Sequence, residues 1–226
     1  MALKEVFLDK LKYIIFLTLG FAFNSSIHYI PEDFSTIQEG INESSPYDTI
    51  YVTEGVYFES ISISIPLTLL GNEGVVINGS GFNSVINIEA NSVIIDSFEI
   101  IGDSLTVCGI IVKPGSEEIV LKNNMIHGMH LPNQSSQLPA SYGILSYGDS
   151  NGPPNPPKNL IIENNEIYDI NAFGISLGSF SDSVLIKNNY IHDIDRIDLS
   201  PYGYEEELSV GVIAQFGGWI AVEENN

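Results

Sequence analysis

The sequence predicts a solenoid of stacked parallel β-strands, all-β apart from one short capping helix, and three features point there. First, one phrase is written twice. Asn159-Leu160-Ile161-Ile162-Glu163-Asn164-Asn165-Glu166-Ile167-Tyr168-Asp169 returns as Ser183-Val184-Leu185-Ile186-Lys187-Asn188-Asn189-Tyr190-Ile191-His192-Asp193, a shift of 24 residues. A period of this size marks units that bury their apolar sides only by stacking on neighbours. Second, apolar and polar residues alternate, as in Ile61-Ser62-Ile63-Ser64-Ile65, which is the period of a strand and not of a helix. Third, a glycine recurs at a fixed place in the repeat, at Gly109, Gly143, Gly174 and Gly211.

Taken in order, residues 1–26 read as an export signal. Lys4, Lys10 and Lys12 precede an apolar run over residues 13–23 that is too short to span a bilayer. The mature chain is therefore expected to be secreted or held at the cell surface, without an integral membrane span, as a single solenoid domain over residues 27–226. Cys108 is the only cysteine, so no intrachain disulfide forms. Acidic residues outnumber basic ones 29 to 8, giving a net charge of −21. Such a surface repels nucleic acid, and disfavours polyanionic glycans unless divalent cations bridge the two.

Ser35 is placed to cap a helix, with Gln38 reaching back in a capping box and Ile37 and Ile41 on one face. That helix would cover the open apolar end of the stack. The strings IPEDFSTIQEGI, DTIYVTEGVYFESISI and LTLLGNEGVVING, within residues 30–79, resemble the opening of right-handed parallel β-helix proteins of the pectin-lyase-like superfold. That group includes pectinesterases and sugar-binding or sugar-hydrolysing relatives, and the later repeats extend the likeness to the C-terminus. The resemblance implies an all-β right-handed parallel β-helix and, most often, carbohydrate chemistry. Of the motifs that mark pectinesterases, only Gly55-Val56-Tyr57-Phe58-Glu59 is matched. The later glutamine and aspartate segments have no counterpart, and neither do the acidic pairs of polygalacturonases or the Asp-Pro-His of alginate epimerases. The Met/His/Cys cluster of β-helix proteins that assist copper-site maturation is missing too.

Sliding the repeat along the chain gives five copies, anchored at Ile95, Leu121, Ile162, Ile186 and, within one residue, Val222. Equivalent positions in strands about 4.8 Å apart form columns. Val93, Ile119, Leu160 and Val184 make one inward column, the anchors a second, and Ile100, Ile126, Ile167 and Ile191 a third. Outside, Asp96, Lys122, Glu163, Lys187 and Glu223 or Glu224 alternate in sign, a charge ladder that makes Lys122 and Lys187 structural. Beside them Ser97, Asn123, Asn164, Asn188 and Asn225 suit an asparagine ladder. The glycine column opens a further sheet, and Cys108, just before it, falls in an apolar packing slot.

The link from the third inward column to the glycine column is short after Ile167 but long after Ile126 and Ile191. Two long loops, residues 127–142 and 192–210, thus leave one corner on either side of a short turn, and insertions on one face of a solenoid usually build its binding face. The floor between them is formed by the columns His127, Tyr168, His192 and Gly128, Asp169, Asp193. Asp169 and Asp193 fall about 5 Å apart in adjacent coils, with Asp195 close by. Three carboxylates this close suit a Ca²⁺ ion, and equally suit acid–base work, because mutual repulsion separates their pKa values. His192 and His127 would shuttle protons and Arg196 would contact an anion, with His127 and Tyr168 as substrate-binding positions. The alternative is that the aspartates only shape the turns and the histidines only face solvent. The proline-rich segment over residues 149–157 reads as a stiff excursion at another corner.

Two functions fit. One is an exported β-helix that binds or processes a polysaccharide in the loop groove, as a polysaccharide lyase or glycoside hydrolase if it is an enzyme; by resemblance to pectate lyases, Arg196 would be the base beside a Ca²⁺ held by Asp169, Asp193 and Asp195. The other is a non-catalytic surface, adhesion or spacer module. Residues 218–226 start another coil and stop within it, which suggests a piece of a longer protein or end-to-end self-association.

Overall fold

The structure, a computed structural model, describes residues 25–131, 140–147, 155–178, 181–198, 207–214 and 220–225. The expected export signal, most of the proline-rich excursion and the middle of both corner loops lie outside the described residues. No helix among those described is long and apolar enough to cross a membrane.

Strands stack in parallel, coil upon coil. On the first face eight strands pair in order from Ile27–Ile30 through Asp48–Val52, Leu67–Gly71, Val93–Asp96, Glu117–Lys122, Lys158–Glu163 and Asp182–Lys187 to Ile220–Glu223. The second and third faces join into one twelve-stranded sheet because Glu166–Leu177 runs through the corner unbroken. Its first half pairs with Met125–Met129 and its second half with Ser141–Ser146.

The expected columns are present. Val93, Ile119, Leu160 and Val184 are in register and buried, and so are Ile95, Leu121, Ile162 and Ile186, with Val222 in exact register beyond them. Ile77, Ile100, Ile126, Ile167 and Ile191 line the second face from within. In the charge column Lys122 pairs with Asp96 at 3.3 Å, and Lys187 with Glu224 at 3.4 Å. Lys158 similarly meets Glu117 at 3.5 Å, and Lys113 pairs with Glu89. The glycine column is required sterically: a Cβ at Gly109, Gly143 or Gly174 would sit 2.7 Å from the carbonyl oxygen of the glycine in the next coil. Cys108 is fully buried beside that column, and burial pushes its thiol pKa up, as befits a packing residue.

Two expectations shift by one residue. The asparagine ladder is built from Asn124, Asn165 and Asn189, each one residue after the expected position, and from Asn225, which was expected in it. Each amide nitrogen in the run donates to the next amide oxygen, at 3.1 Å, 2.9 Å and 2.9 Å. Ser97, Asn123, Asn164 and Asn188 instead hold left-handed φ values of 67°, 56°, 55° and 55°, and turn the chain between the first and second faces. Asparagine tolerates that conformation better than most residues, so the two halves of each Asn-Asn pair do different work.

The cap moves likewise. Helix Ile37–Glu43 starts from Thr36, whose side chain accepts from the Glu39 N–H at 3.1 Å, while Glu39 reaches back to Ser35. Gln38 is thereby free to bond both backbone groups of Ser62, at 2.7 Å and 3.2 Å, closing the edge of strand Ile61–Ile63. Glu59 accepts from the Ile37 and Gln38 N–H groups, both at 2.9 Å. The one pectinesterase-like motif therefore holds the cap through its glutamate. Ile37 and Ile41 are buried over the end of the stack as expected.

Candidate functional site

Two outward columns run up the second face, where alternation leaves every second side chain outside the core. One is Glu99, Met125, Glu166 and Tyr190; the other is Ile101, His127 and Tyr168, continued by His192. A diagonal contact between them repeats from coil to coil. Glu99 Oε1 lies 3.1 Å from His127 Nε2, Tyr168 donates its hydroxyl to Met125 Sδ at 3.5 Å, and Glu166 Oε1 lies 3.2 Å from His192 Nε2.

The rings form a continuous row. His127 stacks on Tyr168 at 4.6 Å and 13°, and Tyr168 on His192 at 5.1 Å and 3°. Tyr190 folds over His192 at 4.2 Å and 28°, and is itself 51% exposed. Such pairs contribute about 0.5–1.5 kcal/mol each beyond the area they bury. The inner ring faces are spent on one another, so the row offers a partner its polar edges and, at its end, Tyr190.

His192 sits between two acceptors, with Nδ1 2.9 Å from Asp193 Oδ2 and Nε2 3.2 Å from Glu166. The hydrogen bond to Asp193 raises its pKa most, burial opposes the rise, and Glu166 adds to it. The Tyr168 hydroxyl is pushed up by burial, then by the charges of Glu166, Glu99 and Asp169. An open cleft of about 490 Å³ lies beside the other outward column, at Glu99 and Met125, with Glu73, Asn72 and Asn123 also in its lining.

At the corner after this face, Gly128, Asp169 and Asp193 share left-handed φ values of 84°, 56° and 48°. The Asp169 N–H donates to the Asp193 carbonyl at 3.0 Å, so these aspartates do shape the turns. Their carboxylates diverge. Asp169 Oδ1 meets His130 Nε2 at 2.8 Å, whereas Asp193 turns to His192. His130 Nδ1 faces Asn171 Oδ1 at 3.1 Å and Asp195 Oδ2 at 3.5 Å. Asn171 donates its amide to the Leu131 carbonyl at 2.9 Å, which orients its oxygen toward the imidazole. Arg196 is exposed beside Asp195 and is itself engaged.

Residues 108–226 match the family described as the right handed beta helix region. The chain belongs to the right-handed β-helix family. Among solved structures it is similar to a pectin methylesterase point mutant in complex with a hexasaccharide, at 14% identity and a TM-score of 0.47, covering 84% of this chain and 65% of that one. A second pectin methylesterase–hexasaccharide complex gives 15%, 0.46, 83% and 64%. The pectin methylesterase from Aspergillus niger gives 14%, 0.43, 89% and 76%. The chain thus spans just under two thirds of the length of the first two. No curated protein sequence matches it.

In this β-helix the expected floor residues His127, Tyr168 and His192 do come together, as a ring row. Asp169 and Asp193 are neighbours in backbone but not in side chain. The expected Ca²⁺ set of Asp169, Asp193 and Asp195 is therefore not assembled: among the described residues no three His, Cys, Asp or Glu groups converge to hold a metal ion. Their carboxylates are 52%, 79% and 63% exposed; Asp169 and Asp195 meet opposite nitrogens of His130 and Asp193 turns to His192, whereas Ca²⁺ takes six to eight oxygens around one point. Sequence reasoning missed Glu99, Glu166 and Tyr190, although they form the outward column one residue before the third isoleucine column. His130 carried no such signal, because it starts a loop that has no repeat.

Proposed function

We propose that this β-helix is exported and binds a polysaccharide along its second face, across the row His127, Tyr168, His192 and Tyr190. The observation that carries the reading is the row itself: four rings in line, its two imidazoles paired with carboxylates, beside the corner from which the two longest connections leave. Ring edges and carboxylates offer the hydrogen-bond partners that sugar hydroxyls need, and Tyr190 offers an apolar face. In any bond-breaking step His192 is the acid, Asp193 is the carboxylate beside it, Asp169, held by His130, is the carboxylate of the neighbouring coil, and Arg196 is the flanking cation. Calorimetry against a panel of glycans tests the reading, with reducing-end and unsaturated-product release measured on the same panel. The expected result is saturable heat with at least one glycan and at least tenfold weaker binding by Tyr168→Ala. No heat and no product on any glycan, from folded protein, would overturn it.

A second reading is favoured by one observation. Tyr142 and Phe173 stack at 5.0 Å and 5° on the third face, half-buried, in the same geometry. A ring row can thus simply stiffen the coils of a spacer. In that case Tyr168→Ala lowers thermal stability and no glycan gives heat with either protein.

A further inference from the structure

We infer that the glycan taken by the second face is an amino-sugar oligomer carrying free ammonium groups, rather than a polyuronate or a neutral chain. This rests on the proposed polysaccharide reading and narrows it.

The inference follows from how the chain distributes its charges. The second face and its corner carry Glu99, Glu166, Asp169, Asp193 and Asp195, with Glu73 across the adjoining cleft. None of the strands on that face bears a lysine or arginine among the described residues. Lys113, Lys122, Lys158 and Lys187 all stand on the other faces, each tied to a carboxylate in a neighbouring coil. Among the described residues only Arg196, next to Asp195 in the chain, brings a cation to this corner, and it is already engaged. Counting every imidazole as charged still leaves the named carboxylates in excess. A uronate would bring like charge against like, with no cation free to bridge it. An ammonium group has three donors and no acceptor, and a carboxylate only accepts, so the two match without rearrangement. The sugar ring supplies what a bare cation lacks, an apolar side for Tyr190 and hydroxyls for the ring edges.

The test uses the full chain and four probes of equal length: a glucosamine oligomer, its N-acetylated and neutral counterpart, a galacturonate oligomer and a lysine peptide. Titrations are run below the amine pKa at moderate salt. The expected result is that the glucosamine oligomer binds at least tenfold tighter than the other three. Glu99→Gln combined with Glu166→Gln should weaken it about tenfold, whereas Glu117→Gln, on the first face, should leave it unchanged. Tighter binding of the neutral or galacturonate oligomer would overturn the inference and leave the polysaccharide reading standing. Equal binding of the lysine peptide, indifferent to Tyr168→Ala, would overturn it by showing only a bare acidic patch. Binding of no oligomer at all, here and across the wider glycan panel, would sink the polysaccharide reading itself.

Discussion

Replacing Asn165 with alanine is predicted to cost about 2–4 kcal/mol, while the same change at its neighbour Asn164 costs about 1–2 kcal/mol. Asn165 is 2% exposed. Its amide oxygen accepts from the Asn124 N–H at 3.0 Å and from the Asn124 amide at 3.1 Å, and its nitrogen donates to the Leu121 carbonyl at 2.9 Å and to Asn189 at 2.9 Å. Alanine removes all four bonds. Asn189 keeps the Asn165 N–H at 3.0 Å, and the Asn124 amide keeps the Ile95 carbonyl at 3.1 Å. The buried Asn124 N–H is left without that acceptor, at about 1–3 kcal/mol, and the Leu121 carbonyl loses a bond worth about 1 kcal/mol. Asn164 has no place in the ladder. Its substitution forces a Cβ with no compensating side-chain bond into φ 55°, and glycine there should be nearly neutral. Urea titrations followed by far-UV circular dichroism, with m-values compared, measure all three variants. A larger loss from Asn164→Ala than from Asn165→Ala would refute the assignment of roles within the Asn-Asn pair.

Other expectations follow from single contacts. Gly143→Ala places a Cβ 2.6 Å from Ile167 Cγ2 and 2.7 Å from the Gly174 carbonyl; the urea midpoint should drop by the equivalent of about 1–3 kcal/mol or more, and an unchanged midpoint would show that the coils can separate there. His192 has a raised folded-state pKa, so its stabilising contribution is fully present below the ordinary histidine value of about 6.5 and is lost as pH rises through the folded value. Melting temperature across that window should therefore fall in the native protein relative to His192→Gln, and parallel curves would count against the Asp193 and Glu166 pairing. Gln38→Ala unpairs the edge of strand Ile61–Ile63, and light scattering should report increased self-association; an unchanged molecular mass would mean the helix shields the edge without it.

The fold was legible because a solenoid writes its register into the sequence. Each coil repeats the same inward positions, so aligning Ile162 with Ile186 locates every column at once, and the observed pairing keeps that alignment to Val222. What pattern alone left open was which of two adjacent asparagines faces inward. Both are small, polar and turn-compatible, and the choice depends on which residue takes the left-handed conformation, a backbone property with no compositional trace. The helix cap slipped by one for a related reason, since Ser35 and Thr36 are both competent caps and Glu59, distant in sequence, helps fix the start. At the site, stacking predicted which backbones meet but not where side chains turn. Asp169 and Asp193 are equivalent by repeat, yet His130 draws one aside, and His130 lies where the repeat is interrupted.

The same logic separates what the chain needs for stability from what it has to spare. Every described lysine is used along the stack, the buried asparagines close the first corner, and among the described residues no buried side-chain nitrogen or oxygen lacks a partner. The outward columns of the second face are different. Their carboxylates and rings contact one another outside the core, while the isoleucines beneath them form the buried cluster that joins the coils. In a repeat protein such a row can be altered one coil at a time without loss of the core, because neighbouring coils contribute nearly independent terms. The rings and acidic groups of that face, with lysine kept to the others, are therefore the positions at which the proposed binding can be tested by substitution without disturbing the core.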